Sequence, residues 1–112
     1  MTKNQEQAEF LLDVCRLIQW ATARGWMVTG GELARPVEMQ KIYIETGRSK
    51  TMLSKHLDRL AIDLNFFKLG KYICSVEALK EVGEFWESLN PKNRWGGNFK
   101  NFKDAPHFER NI

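Results

Sequence analysis

Ala61-Ile62-Asp63-Leu64-Asn65-Phe66 is the stretch that decides the fold class. Successive side chains of an extended chain point to opposite faces, so Ile62, Leu64 and Phe66 share a core-facing side and Asp63 points away from it. A carboxylate opposite a buried face is either solvated or put to use. Just downstream, Leu69-Gly70-Lys71 has the makings of a hairpin turn that returns the chain into Tyr72-Ile73-Cys74. Ser75 then stands as the N-cap of a helix predicted over 76–89, which Asn90-Pro91 closes. The tail from Lys92 holds Trp95-Gly96-Gly97 and His107-Phe108-Glu109, strand-like in character but rich in glycine and charge.

Upstream of the decisive strand, Phe10, Val14, Leu17, Ile18 and Ala21 recur at three- and four-residue spacing, which predicts a helix over 7–24 ended by Gly25. Trp26-Met27-Val28-Thr29 reads as a short buried strand, with Gly30-Gly31 allowing a sharp turn out of it. Pro36 suits a first helical turn, 37–46 has helical character with Gly47 as its stop, and a loop follows over 48–60. Helices and strands are mixed without regular alternation and without an internal repeat. The expected class is therefore α+β, an antiparallel sheet flanked by helices.

A chain of 112 residues has room for one core, so 1–112 is read as a single domain with no second folded unit. Its apolar runs are all broken within a few residues by charge or glycine, far short of the ~20 residues that cross a bilayer. The polar start, 1–7, leads into an amphipathic helix and not into an apolar signal core, so synthesis in the cytoplasm without an export signal is the expectation. Cys15 and Cys74 form no C-x-x-C pair and read as free thiols, buried or partly buried. A net charge of +3 and a pI near 9.0 suit attraction to a polyanion such as nucleic acid, anionic lipid or the bacterial envelope.

The chemistry-bearing residues are few. The chain has two histidines, and each has carboxylates nearby: His56 lies seven residues before Asp63, and His107 lies three after Asp104 and two before Glu109. A catalytic zinc site needs three protein ligands and one open position, which two histidines and one aspartate satisfy. Lone histidines in a basic domain are also commonly surface or hydrogen-bonded residues, and spacing alone leaves both readings open.

The order of motifs adds a resemblance. Ser54-Lys55-His56 followed by Asp63 is similar to the Ser-x-His and downstream Asp signature of the zinc D-alanyl-D-alanine carboxypeptidase and L-alanyl-D-glutamate endopeptidase family, which includes phage endolysins. Trp95-Gly96-Gly97, followed by Asp104-Ala105-Pro106-His107-Phe108-Glu109, resembles that family's closing segment, and the stretch around Arg35 and Gln40 resembles its arginine-bearing turn. The chain departs from the family at Arg59, where a glycine often stands, and at Gly31-Glu32-Leu33, where the turn is more often Gly-Tyr-Arg.

The resemblance implies a zinc peptidase acting on peptidoglycan stem peptides, with one Zn2+ per chain held at the sheet by His56, Asp63 and His107. It implies Asp104 as general base, Arg35 as the group that binds substrate and steadies the oxyanion, Ser54 and Trp95 as substrate contacts, and Glu109 behind a ligand imidazole. The implied bond is L-alanyl-D-glutamate, with D-alanyl-D-alanine carboxypeptidase as the nearest alternative. The expected partner is the wall peptide, with no nucleic acid and no membrane insertion, for a monomer that waits in a host cytoplasm if phage-encoded. A small basic nucleic-acid-binding module is the rival from another class. It leaves the placement of the histidines and aspartates unexplained.

Overall fold

The structure is a computed structural model, and it describes residues 1–33, 44–46 and 55–112. The helix expected over 37–46 is described only at 44–46, of which Ile44 and Glu45 are helical. The rest of that segment and the loop over 48–54 lie outside the described residues.

Helix α1, Lys3–Ala23, begins four residues earlier than apolar spacing suggests. Thr2 and Gln5 form a reciprocal capping box, the Gln5 N–H donating to Thr2 Oγ1 at 3.2 Å and the Thr2 N–H to Gln5 Oε1 at 2.8 Å, which satisfies two otherwise orphaned donors. The helix stops where expected, at Gly25, whose φ of 91° suits a residue without a side chain. Strand β1, Met27–Gly30, follows; β2, Ala61–Lys68, is the longest of the described strands. The turn out of β2 has two residues, Leu69 and Gly70, with φ of 52° and 78°, so both central positions are left-handed as a tight hairpin demands. Strand β3, Lys71–Ile73, returns beside β2.

Helix α2, Lys80–Leu89, starts later than Ser75 implied. Ser75 closes a separate turn, accepting the Ala78 N–H on Oγ and the Leu79 N–H on its carbonyl, and the helix proper begins after it. Asn90 and Pro91 follow α2 as expected. The glycine-rich tail resolves into β4, Asn93–Trp95, a 3-10 turn over Gly96–Asn98, and β5, His107–Arg110.

The described strands form one antiparallel sheet in the order β1-β2-β5-β4, with β3 also paired to β2. Last in sequence, β5 is internal in the sheet. One face carries Leu64, Phe66 and Phe108 into the core against α1 and α2, where Phe10, Leu17, Leu79 and Trp86 are also buried. Phe10 meets Trp86 edge-on at 5.5 Å, and the buried Trp86 N–H donates to the carbonyls of Arg94 and Glu109, fastening α2 to β4 and β5. Trp20, Trp26 and Trp86 pack in or against this core, as their spacing implied.

A buried ionic group ties the first helix to the last strand. Arg110 is buried, donates to Asp13 Oδ2 at 2.6 Å and to Asn93 Oδ1 at 3.2 Å, and lies within 3.6 Å of Glu6 and Glu9. Such a charge is tolerated inside only with opposite charge and hydrogen bonds around it. Both cysteines are free and exposed, which corrects the expectation of burial. Cys15 lies on the outward side of α1, next to buried Val14, and Cys74 is exposed directly after the three-residue strand β3, whose Ile73 packs against the core.

Candidate metal centre

The outer face of the sheet carries the site. Alternation along β2 sends Asp63 outward, and the register places His107, the first residue of β5, directly beside it. Beyond β1 the chain continues the ladder: the Gly31 N–H donates to the Asp63 carbonyl at 2.8 Å and the Asp63 N–H to the Glu32 carbonyl at 2.9 Å. A Cβ on Gly31 would stand 2.7 Å from the Asp63 carbonyl oxygen. A glycine is therefore required for this close approach. His56 comes from the turn before β2, closed by the Leu60 N–H on the Lys55 carbonyl. Lys3 and Gln7 of α1 hold that turn through the Asp58 side chain and carbonyl.

His56 Nε2 lies 3.3 Å and His107 Nδ1 3.5 Å from Asp63 Oδ1, and the three ligand atoms all lie within 4.8 Å of one another. In a tetrahedral centre with bonds of ~2.0–2.1 Å, neighbouring ligand atoms are roughly 3.3–3.4 Å apart, so two edges of such a polyhedron are already present. The remaining ring nitrogens fix the tautomers. His56 Nδ1 is 3.1 Å from the Leu33 carbonyl, which can only accept, and His107 Nε2 is 2.7 Å from Glu109 Oε1. In the neutral rings these nitrogens carry the protons, so the lone pairs of His56 Nε2 and His107 Nδ1 point at Asp63. Asp63 Oδ1 is buried and accepts no hydrogen bond from the described residues. A converging carboxylate oxygen and two imine lone pairs make an environment for a cation, and the donor set fits zinc.

Without metal, the same negative surroundings hold a proton instead. Burial would raise the Asp63 carboxyl, yet His107 and His56 outweigh it and hold the group well below the usual carboxylate range. Burial likewise disfavours charge on His107, but Asp63 and Glu109 override it and push its pKa up to about 9. Glu109 is held low against the cost of burial by His107 and by Arg94, whose Nε donates to Glu109 Oε2 at 2.9 Å. Arg94 was legible only as part of a basic tail, because nothing in the sequence gives the register that sets it opposite Glu109. The Leu33 carbonyl is a backbone partner with no sequence signal at all.

Asp104 sits in the loop before β5, its N–H donating to the Gly96 carbonyl at 2.9 Å and its carbonyl accepting the His107 N–H at 3.0 Å. A Cβ on Gly96 would be 2.1 Å from the Asp104 carbonyl oxygen and 2.8 Å from His107 Cβ, so this glycine lets the loop fold against the ligand strand. Of the two places open to Trp95, a wall of the cleft or the core, it takes the core and is no substrate contact. It is 1% exposed in the core, its indole clasped between Gly83 and Gly97 and its N–H donating to the Ala105 carbonyl at 2.8 Å. Its place is behind the site, holding the Asp104 loop. Arg59, where the related family often has glycine, has φ of 57°, the left-handed conformation that glycine adopts most easily. Arg35 and Ser54 lie outside the described residues.

A family model described as D-alanyl-D-alanine carboxypeptidase matches residues 47–110, more than half of the chain, and the chain belongs to that family. It is 30% identical over 99 residues to an L-alanyl-D-glutamate peptidase of Listeria phage A118, a match covering 87% of this chain and 35% of that protein. The chain thus spans about a third of the relative's length. The fold is that of the Serratia marcescens L-Ala D-Glu endopeptidase ChiX, with a TM-score of 0.69 at 24% identity, over 88% of this chain and 77% of that one.

Proposed function

We propose that this chain is a zinc-dependent peptidoglycan peptidase that hydrolyses the L-alanyl-D-glutamate bond of the stem peptide. The observation that carries the reading is the convergence of His56 Nε2, Asp63 Oδ1 and His107 Nδ1 on one point of the outer sheet face, in a member of a peptidase family. The printed activity of the phage relative favours this bond, while the description of the matching family model favours removal of a terminal D-alanine as the second reading.

His56, Asp63 and His107 would hold one zinc ion, which when bound polarises a carbonyl and makes water acidic near neutral pH. Asp104 takes the proton from the attacking water and passes it to the leaving amine. Arg35 binds the substrate and steadies negative charge on the carbonyl oxygen, and Ser54 hydrogen-bonds the peptide. Glu109 keeps the His107 ring in the tautomer that leaves Nδ1 free for metal, and Arg94 in turn holds Glu109. Residues 1–112 act as one catalytic domain and a monomer, with the basic tail drawing it to an anionic wall reached after release from the cytoplasm. Among the described residues no helix is long and apolar enough to cross a membrane.

The test is mass analysis of peptidoglycan digested with zinc-loaded protein. New glutamate amino termini on released peptides are the expected product. Free D-alanine with intact alanyl-glutamate bonds would assign the second reading, and no release of either kind would overturn both.

A further inference from the structure

The outer face does not end at the metal triad. Asp63, Asn65 and Phe67 alternate outward along β2, and Phe67 is flanked in register by Met27 on β1 and Tyr72 on β3. Met27 is 57% and Tyr72 49% exposed, and the Phe67 and Tyr72 rings lie 5.5 Å apart, tilted into a shared ledge. Exposed apolar groups set side by side in a sheet are a cost unless something covers them. Partial burial, together with the negative charges of Cys74, Asp104 and Asp63, raises the Tyr72 phenol above its ordinary value.

We propose that the ledge of Met27, Phe67 and Tyr72 is the subsite for the saccharide of peptidoglycan, on which a pyranose ring stacks while the attached stem peptide crosses His56, Asp63 and His107. This rests on the peptidase reading above. The choice of occupant follows from chemistry at the two ends of the face. A sugar ring offers a flat array of C–H bonds and neutral hydroxyls, which suits aromatic rings with one phenol. The stem peptide beyond its alanine carries carboxylates. At the other end of the face stands half-exposed Arg94, beside the Glu109–His107 pair. Distance agrees as well. Four residue steps of strand separate Phe67 from Asp63, roughly 13 Å, whereas alanine and the lactyl ether span about 7 Å before the first sugar ring begins. A disaccharide therefore reaches the ledge and a peptide residue on that side does not.

The test compares kcat/KM for a disaccharide-linked stem peptide with that for the same peptide carrying an acetyl group on its alanine amine. The wild type should favour the saccharide compound about 10-fold, the weight of one or two aromatic contacts. Tyr72→Ala and Phe67→Ser should bring the ratio close to one, and Tyr72→Trp should keep it. A ratio of one in the wild type, or a ratio indifferent to both ring deletions, overturns the proposal. A binding measurement works without turnover: in zinc-loaded D104N protein, the disaccharide should shift the NMR signals of Tyr72 and Phe67. Equal shifts with the acetylated peptide alone would make the ledge a peptide site and also overturn the proposal. Cleavage of neither compound, with saccharide binding at the ledge retained, would sink the peptidase reading and leave the ledge standing.

Discussion

Asp104 and Glu109 are both carboxylates within three residues of His107, and the structure gives them different surroundings. Glu109 is buried and already engaged by the His107 ring and Arg94, whereas Asp104 is half-buried in the loop beside the site. Asp104→Asn should therefore leave zinc content and melting temperature near wild type while turnover falls roughly 10²–10⁴-fold. Glu109→Gln should instead weaken zinc affinity or activity about 10–100-fold. Parallel zinc assays and rates separate the two, and an active Asp104→Asn beside a dead, zinc-loaded Glu109→Gln would exchange their roles. Ala at His56, Asp63 or His107 should lose metal and turnover together, and a variant with normal zinc leaves the ligand set. Arg59 offers a check on the backbone alone. Its left-handed φ costs an ordinary residue ~1–2 kcal/mol, partly offset by the flexibility glycine adds to the unfolded chain, so Arg59→Gly should be stabilising by up to about 1 kcal/mol. A lower melting temperature would show that the Arg59 side chain contributes more than its backbone costs.

At the scale of elements, what the sequence made legible follows periodicity and turn chemistry. The Asp63 strand, the Leu69-Gly70 hairpin and the stop at Gly25 are all short-range features, and each stands where its residues put it. Boundaries set by side-chain capping moved, at Thr2 and at Ser75, because a cap competes with the apolar pattern over only one turn. Pairings set through space were not legible: Arg94 with Glu109, Gly31 with Asp63, and Trp95 turned inward although its neighbours belong to the site segment. The inward turn of Trp95 depends on Gly83 of α2, where a Cβ would stand 2.0 Å from the indole. Gly83→Ala should accordingly destabilise by about 1–3 kcal/mol, the usual cost of overpacking, even though alanine is the better helix former. Urea unfolding measures it, and a stability equal to wild type would mean that α2 is free to shift away from the indole.

The whole molecule should respond to pH in opposite senses with and without metal. In metal-free protein the His107 pKa of about 9 exceeds its unfolded value near 6.5. Its charged pairing with Asp63 and Glu109 then stabilises fully below pH ~6.5 and is lost as pH rises through about 9. Asp63, held low, stabilises above its unfolded value near 3.9 and loses that contribution only in strong acid. With zinc the imidazoles must be unprotonated, so metal-dependent stability grows with pH through neutrality. Melting temperatures of the two forms should diverge between about pH 6.5 and 9. Parallel curves would show that no proton is exchanged for metal at His107.

The place of β5 in the sheet has one more consequence, for the chain as it leaves the ribosome. Because His107–Arg110 slots between β2 and β4 although it follows both in sequence, both earlier strands wait with an open seam, and α1 waits for Arg110 to pair with Asp13. A nascent chain lacking those four residues has two of the three ligand atoms, and Asp13 keeps Arg16 and Asn93 but lacks the buried guanidinium. The ligand set is thus incomplete until β5 is in place, and sheet and triad close in a single step. Release of stalled chains ending before His107 should yield protein that neither retains zinc nor resists protease, whereas zinc retention by such chains would show that the seam closes without its final strand.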